Sequence, residues 1–441
     1  MDIEKFLLDY DWTVLAPELT ILIAATLMSV VDLAMGGKAD RRFVAWIGIA
    51  GVAVAGLFVI NYMDREPYQI LADTYRLDDF ANVFKLIILV GALLVLLVSQ
   101  SALKRSDIAH CGEFYYLLLT AALGGMMMAS SADLITLYVG LELLSISSYI
   151  LVGTRKHVLK STEAAFKYVV LGATSSAFIL YGMSFAYGLT GTTNLFEMQN
   201  GLTEAYNSGY AFFVLLSLVL MLIGFGFKIS SAPFHMWAPD VYEGAPTPVT
   251  TFLAVVSKAA AFALLIRIVL VGYSGLLNAM DQVWMDRFSL FFVILAALSM
   301  IVGNTAALRQ RNVKRMMAYS SIAQAGYILV PFAILGVGLF ETVAFYLLAY
   351  VFMTVGAFAV ITHVNRMADT EDIRSFAGLY RRSPWTAAAM LVFVLSLAGI
   401  PLTGGFVGKF YIFFNAIAGQ SFWLAGIMVV TTVISYFYYF E

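Results

Sequence analysis

Long runs of almost uninterrupted apolar residues recur along the whole of this 441-residue chain. A helix needs about 20 mostly apolar residues to cross the hydrocarbon core of a bilayer. Thirteen runs, counted in chain order as spans one to thirteen, reach about that length: 15–34, 43–62, 81–101, 114–131, 133–152, 164–188, 211–232, 248–272, 288–308, 316–335, 341–362, 386–413 and 421–441. Strands of a membrane β-barrel alternate apolar and polar residues, and these runs do not. The sequence therefore predicts an all-α polytopic membrane protein.

The composition excludes several other classes of protein. Hydrophobic residues make up 61% of the chain and charged residues only 12%, against roughly 25% charged in a typical soluble protein. The net charge of −2 argues against nucleic acid as a partner. The single cysteine cannot bind an iron–sulfur cluster, and the four scattered histidines argue against a haem or a multi-histidine metal site. The sequence also lacks a phosphate-binding glycine motif, which argues against a nucleotide site. We expect no cofactor in this chain.

The basic residues of the loops predict the orientation of the chain, because Lys and Arg remain on the cytoplasmic side. One set of alternate loops carries sixteen of them: Lys38, Arg41, Arg42, Lys104, Arg105, Arg155, Lys156, Lys160, Arg309, Arg311, Lys314, Arg315, Arg366, Arg374, Arg381 and Arg382. The other set, with the N-terminus, carries four: Lys5, Arg65, Arg76 and Arg287. The N-terminus is therefore expected outside. Because span thirteen has no polar tail after it, we expect the natural chain to continue past residue 441.

One acidic residue lies deep within an apolar run. Glu142 is nine residues from Asp133 and thirteen from Arg155, with no other charge between them. An ionised side chain at the bilayer centre costs at least ~2.5–3.5 kcal/mol, and such residues usually face a polar cavity or a partner. Glu142 is therefore a candidate functional residue. The alternative is a protonated carboxyl group that hydrogen-bonds between helices.

Span eight carries a lysine near its midpoint. An amine at Lys258 is costly to bury, and desolvation would let it exchange a proton near neutral pH. The alternative is a lysine locked in a permanent ion pair. Arg267, nine residues further on, is expected to extend to the outer interface. Lys85 and Lys167 lie near span ends, where structural roles are expected.

Two spans carry glycine and proline close to a lysine, which predicts broken helices of the kind that line cavities in membranes. Lys228 ends span seven in GFGFKISSAPFHMW, and Lys409 follows the proline and glycines of SLAGIPLTGGFVGKF in span twelve. His235, just past the first break, is either a proton relay or an interfacial hydrogen-bonding residue. On the residues alone, Lys409 either belongs to the site or extends to the interface.

The two predicted breaks are five spans apart, which indicates that spans four to eight and nine to thirteen are repeats of inverted topology. The predicted organisation is an N-terminal three-helix segment at 1–110, a first repeat at 111–272 and a second at 273–441. The repeats are not chemically symmetric, because span ten has no acid that matches Glu142. Glu142, Lys228, Lys258 and Lys409 then form a line of titratable groups that carries protons if water connects them.

Three stretches of the chain resemble the antiporter-like membrane subunits of proton-pumping NADH–quinone oxidoreductase, respiratory complex I. The most specific is FKISSAPFHMWAPDVYEGAPTPVTTFLAVVSKAAAF, and the others are GLELLSISSYIL and LAGIPLTGGFVGKFY. The combination of DVYEGAPTPVT with VSKAA is similar to one branch of this family, whereas the related subunits L and M and the multisubunit sodium/proton antiporters differ around the PTPV core. The resemblance covers essentially the whole chain.

The resemblance implies a fold and a set of roles. It implies two inverted five-helix repeats and, because bacterial members have fourteen spans, about 13–14 transmembrane helices. Glu142 is similar to the family's fifth-helix glutamate, which pairs with the lysine matched by Lys228. Lys258 matches the central relay lysine and Lys409 the distal lysine that leads to the outer face.

The resemblance also implies that the chain translocates protons and holds no redox centre. The implied partners are an antiporter-like neighbour, small helical subunits and, in other subunits, FMN, iron–sulfur clusters and quinone. The implied location is the bacterial inner membrane. The alternative function is a subunit of a multisubunit sodium/proton antiporter, although a single carboxylate among lysines is a poor sodium site.

Overall fold

The predicted spans are helices in the computed structural model of the chain, which describes residues 11–35, 41–103, 108, 110–280, 282–336 and 338–440. Four of the predicted loop residues, Lys5, Lys38, Lys104 and Arg105, lie outside the described residues. Twelve helices of the described part are long and apolar enough to cross a bilayer. The predicted span twelve is two shorter apolar helices, Pro384–Ala398 and Gly404–Ala418. The predicted all-α, polytopic fold is confirmed.

The first helices in chain order are α1 Ala16–Ala34, α2 Arg42–Asn61, α3 Asp79–Ala102, α4 Cys111–Ser130, α5 Leu134–Val152, α6 Leu159–Thr190, α7 Leu195–Ala205, α8 Ala211–Ile229, α9 Ala238–Gly244, α10 Thr247–Phe252 and α11 Lys258–Arg267. The later helices are α12 Ser274–Ala279, α13 Gln282–Ala307, α14 Val313–Ile334, α15 Leu339–Ala368, α16 Leu379–Arg382, α17 Pro384–Ala398, α18 Gly404–Ala418 and α19 Phe422–Phe440. Two short antiparallel strands, β1 Tyr68–Ile70 and β2 Tyr75–Leu77, connect α2 to α3.

The described residues belong to two compact units that interleave along the sequence. One unit draws on Met1–Leu151, Ser176–Leu222 and Ala259–Ala279, and the other on Val152–Ser175, Ile223–Lys258 and Met280–Glu441. Each unit is built from three chain segments, so the boundaries of the units do not coincide with the predicted repeat boundaries. The division into a three-helix segment and two inverted repeats stays a prediction.

Small residues bring helices close together within each unit. In the first, a β-carbon at Gly124 of α4 would lie 2.6 Å from the carbonyl oxygen of Gly140 in α5. In the second, a β-carbon at Gly303 of α13 would lie 2.5 Å from the backbone nitrogen of Ala323 in α14. Glycine permits the close backbone packing on which helix association in lipid depends. These contacts hold α5, which carries Glu142, in the first unit and α14 in the second.

Candidate functional site

The predicted break in span seven lies directly after Lys228. Helix α8 ends at Ile229, and Ser230 takes a left-handed conformation with φ of 62°. Pro233 cannot continue a helix because its ring removes the N–H donor and clashes with the preceding turn. The indole of Trp237 returns to α8 and donates to the carbonyl oxygen of Phe227 over 2.9 Å. The chain then restarts as α9, so the predicted broken helix is confirmed here.

Two predicted site residues flank this break. Lys228 is buried, with 6% of its surface exposed, and its Nζ lies 5.8 Å from the centroid of the Phe227 ring. A cation in the last turn of α8 is favourably placed against the helix dipole. His235 lies in the segment between α8 and α9, and its Nδ1 is buried without a hydrogen-bond partner in the described part of the chain. The role of His235, as a proton relay or as an interfacial hydrogen-bonding residue, stays a prediction.

A network of ion pairs anchors α9 beyond the break. Asp240 accepts from Lys167 of α6 at 2.7 Å and from Arg315 of α14 at 2.6 Å. Glu243 pairs with Lys160 at 2.8 Å and with Arg315 at 3.2 Å. One arginine therefore joins both carboxylates of the DVYE sequence, and α9 is tied to α6 and α14 at the same time.

Both carboxylates of α9 remain ionised under ordinary conditions. Burial by itself would raise the pKa of Asp240, but Lys167 and Arg315 outweigh it and hold the pKa below 3.8. Burial also disfavours the charged form of Glu243, but Lys160 and Arg315 favour it more strongly. The pKa of Glu243 therefore lies below 4.5. The attachment of α9 is therefore insensitive to pH near neutrality.

Lys258 begins α11 directly after a π-helical turn at Leu253–Ser257. Such turns insert a residue into a helix and are frequent at functional sites. Only 1% of the Lys258 surface is exposed. Its Nζ donates to the carbonyl oxygen of Ser321 in α14 over 2.5 Å and to the Ser321 hydroxyl. The amine also lies 5.5 Å from the centre of the Tyr350 ring.

The break in span twelve holds Lys409. Helix α17 ends at Ala398, and Gly399 turns the chain with φ of 81°. The Nζ of Lys409, from α18, donates to the carbonyl oxygens of Leu397 and Ala398 over 2.9 and 3.2 Å. These carbonyls are among the last of α17, which as a group lack intrahelical donors and carry the negative end of the helix dipole. Lys409 is only 5% exposed, so it is a buried residue.

Uncharged polar residues of α14, which the sequence did not single out, form hydrogen bonds around Lys258 and Lys409. Ser320 shares a hydrogen bond with Tyr439, and Gln324 accepts from the hydroxyl of Tyr346. The Gln324 amide also donates to the Leu397 carbonyl oxygen over 3.1 Å. Their helical spacing is the pattern that could have identified them, because it places Ser320 and Gln324 on one face of a largely apolar span.

Glu142 lies on α5 in the first unit, and its Oε1 is buried without a hydrogen-bond partner in the residues that the structure describes. Tyr138, one turn earlier, and Tyr149 lie within electrostatic range of the carboxylate. The pairing of Glu142 with Lys228 stays a prediction. A carboxyl group within a membrane helix usually faces a polar cavity or a partner.

The first unit contains a second set of buried charges. Lys85, fully buried, pairs with Glu18 at 2.7 Å and donates to the Tyr75 hydroxyl over 2.6 Å. Arg267 was expected to extend to the interface, and this prediction is wrong. It is only 3% exposed and binds both carboxylate oxygens of Asp78 at 2.7 Å. A fixed carboxylate supplies the bidentate partner that Arg prefers, so the side chain turns inward.

The chemistry available to these groups is the exchange of protons. In the first unit a carboxylate lies on α5, and in the second unit amines, hydroxyls and an amide lie on α8, α11, α14 and α18. Within the described ranges, no group of three or more His, Cys, Asp or Glu side chains is placed to hold a metal ion.

Comparison with known proteins identifies the family. Residues 131–435 match the family described as NADH:quinone oxidoreductase/Mrp antiporter, transmembrane. The chain is similar to proteins named NADH-quinone oxidoreductase subunit N: it is 53% identical to that of Brevibacillus brevis, with 99% of this chain and 86% of the relative covered. It is 50% identical to that of Anoxybacillus flavithermus, with 100% and 88% covered. Subunit N is the branch that the DVYEGAPTPVT and VSKAA stretches resemble.

Two solved structures have the same fold. A chain of respiratory complex I from Thermus thermophilus with bound aureothin is 34% identical, with 96% of this chain and 88% of that chain covered and a TM-score of 0.79. A chain of an archaeal membrane-bound sulfane sulfur reductase is 26% identical, with 97% and 86% covered and a TM-score of 0.83. The resemblance found in the sequence is confirmed, and the chain belongs to the NADH:quinone oxidoreductase/Mrp antiporter transmembrane family.

Proposed function

We propose that the chain is a proton-translocating membrane subunit of a NADH–quinone oxidoreductase. Quinone reduction in neighbouring subunits supplies the energy, and the chain moves protons along a buried axis of Glu142, Lys228, Lys258 and Lys409. The relatives named subunit N and the fold shared with a chain of complex I support this function. His235 is the weakest member of the proposed set.

The single observation that carries the proposal is how Lys258 and Lys409 are bound. Neither amine forms an ion pair in the part of the chain that the structure describes; carbonyl oxygens and the Ser321 hydroxyl hold them instead. A permanent ion pair would keep a buried lysine charged, whereas neutral acceptors leave its proton exchangeable. This contact pattern argues against the alternative of a locked lysine at Lys258.

The axis operates by changes in neighbouring charge. Each amine releases its proton when a positive charge arrives beside it and regains one when that charge leaves. Glu142 and Lys228 form the entry pair in this scheme, Lys258 the central relay and Lys409 the outlet. Water or hydroxyl groups connect them.

The proposed membrane location and partner subunits follow from the same function. The chain spans the bacterial plasma membrane with its N-terminus outside, beside an antiporter-like neighbour and small helical subunits. FMN, iron–sulfur clusters and quinone belong to other subunits of the complex. The chain contributes no redox centre of its own.

Purification from the native membrane in mild detergent tests this assignment. Co-purification with flavin- and iron–sulfur-containing chains, identified by mass spectrometry, is the expected result. Recovery alone or with small transporter subunits would overturn it in favour of a sodium/proton antiporter. Sodium-dependent transport in vesicles would then replace NADH-driven pumping as the activity to measure.

A further inference from the structure

We propose that Gln324 is a positioning residue for Lys409, and that it connects this lysine to the groups around Lys258 through the shared carbonyl oxygen of Leu397. The inference rests on the proposed function. It adds an uncharged residue of span ten to the proposed line of ionisable residues. The middle of span ten contains no acidic or basic residue.

One turn of α14 contacts both lysine sites. Ser321 binds Lys258, Ser320 binds Tyr439, and Gln324 contacts Tyr346 and the end of α17. From residue 320 to residue 324 the helix rises only about 6 Å. All three side chains are buried. Within one turn, helix α14 therefore places one side chain against Lys258 and another against the carbonyl oxygen that Lys409 also binds.

The carbonyl oxygen of Leu397 has two donors, one from each side. Gln324 donates over 3.1 Å and Lys409 over 2.9 Å. A carbonyl oxygen accepts two hydrogen bonds, and a buried one left without a donor costs free energy. Because Gln324 supplies a donor of its own, Lys409 can turn away from Leu397 to release its proton without leaving this oxygen unsatisfied. Gln324 thus lowers the cost of the step in which Lys409 releases its proton.

The absence of charge on Gln324 is part of this role. A carboxylate in the same place would form a buried ion pair with Lys409 and keep the lysine protonated. Breaking such a pair is strongly unfavourable because it leaves one uncompensated charge. The amide has the same shape and accepts from Tyr346 equally well, so it holds the network without fixing the charge of Lys409.

Substitution in the whole complex tests the inference. Gln324→Met keeps the unbranched shape and removes both hydrogen bonds, and Gln324→Glu keeps the acceptor and adds a charge. Gln324→Met is expected to lower the protons moved per NADH oxidised by roughly five- to tenfold, the effect of one unsatisfied buried group. Gln324→Glu is expected to lower the ratio at least as much, because its buried ion pair with Lys409 is unfavourable to break. Inverted membrane vesicles with a pH-sensitive dye measure this ratio. Gln310→Met is the matched control, because Gln310 lies in the connection after α13 and its amide donates to the Ala306 carbonyl of that helix.

A double variant separates positioning from a general structural effect. If Gln324 acts through Lys409, then Gln324→Met added to Lys409→Met lowers the ratio no further than Lys409→Met alone. Additive losses, or normal pumping in Gln324→Met, would overturn the inference. Normal pumping in Lys409→Met would instead contradict the proposed proton axis, and this inference would fail with it. NADH oxidation by an artificial acceptor, measured on washed vesicles, reports that the peripheral subunits remain bound to the membrane part of the complex.

Discussion

Gly399 and Lys409 occupy adjoining space at the break in span twelve. A β-carbon at Gly399 would lie 2.8 Å from Cδ and 3.5 Å from Nζ of Lys409. The glycine also turns the backbone with φ of 81°, a conformation that costs other residues roughly 1–2 kcal/mol. The same residue therefore ends α17 and leaves room for the lysine beside the last carbonyls of that helix.

Gly399→Ala is expected to displace Lys409 from the Leu397 and Ala398 carbonyls and to lower proton pumping in assembled complexes. Gly378→Ala is the control: Gly378 has a similar φ of 70°, but a β-carbon there would have no neighbour within 4 Å. It imposes the same backbone strain without contact with the lysine. Equal pumping losses in both variants would show that backbone strain alone is responsible. The measurement is dye quenching in vesicles, normalised to NADH oxidation.

The fold could be predicted from the sequence because lipid offers the backbone no hydrogen-bond partners. Backbone groups in the membrane must therefore bond within a helix, so long apolar runs predict membrane spans. A proline with glycines beside a lysine predicts a break in such a helix. Lys228 and Lys409 were found in this way. Their depth was harder to predict, because counting along a straight helix fails where the helix is broken.

The contacts of the site were not readable, because they depend on side chains that carry no charge. Ser320, Ser321 and Gln324 cost little to bury once they are bonded, so they do not stand out in an apolar span as Glu142 does. Arg267 was misjudged for a related reason. Its partner Asp78 is 189 residues away, and no local pattern joins them.

Lys258→Ala is expected to abolish proton pumping by the assembled complex and to slow coupled NADH oxidation. The reason is that an alanine leaves Ser321 without its ammonium donor and the central relay without a titratable group. NADH oxidation by an artificial acceptor should remain, because that reaction needs only the peripheral subunits. The exposed Lys156→Ala serves as the control. Loss of the peripheral activity as well would point to failed assembly.

The ion pairs of α9 should tolerate pH changes near neutrality and fail in acid. Because the pKa values of Asp240 and Glu243 in the folded chain lie below 3.8 and 4.5, their stabilisation is present above those values and is lost as the pH falls through the folded values. Protection of the 238–244 amides from hydrogen exchange, corrected for intrinsic rates, should therefore stay level from about pH 8 to pH 5 and decline below about pH 4.

Asp240→Asn should loosen α9 at neutral pH. The substitution removes the charge that Lys167 and Arg315 share, and at a half-buried site this costs roughly 1 kcal/mol, or about fivefold faster exchange of α9 amides. Glu163→Gln is the matched control, because Glu163 also pairs with Lys167, at 2.6 Å, but is 63% exposed. Equally fast exchange in both variants would mean that Asp240 does not anchor the helix.

The buried pair of Lys85 and Glu18 should act as a structural lock in the first unit. Lys85→Ala leaves the Glu18 carboxylate buried without its cation, which costs about 3–5 kcal/mol and should lower the melting temperature of the complex markedly. Replacing both charges, by Lys85→Met with Glu18→Gln, removes the uncompensated charge and should restore most of the loss. Restored stability with normal pumping would show that the Lys85–Glu18 pair has only a structural role. Normal stability but lost pumping in the double variant would contradict that assignment and place Lys85 on the proton path.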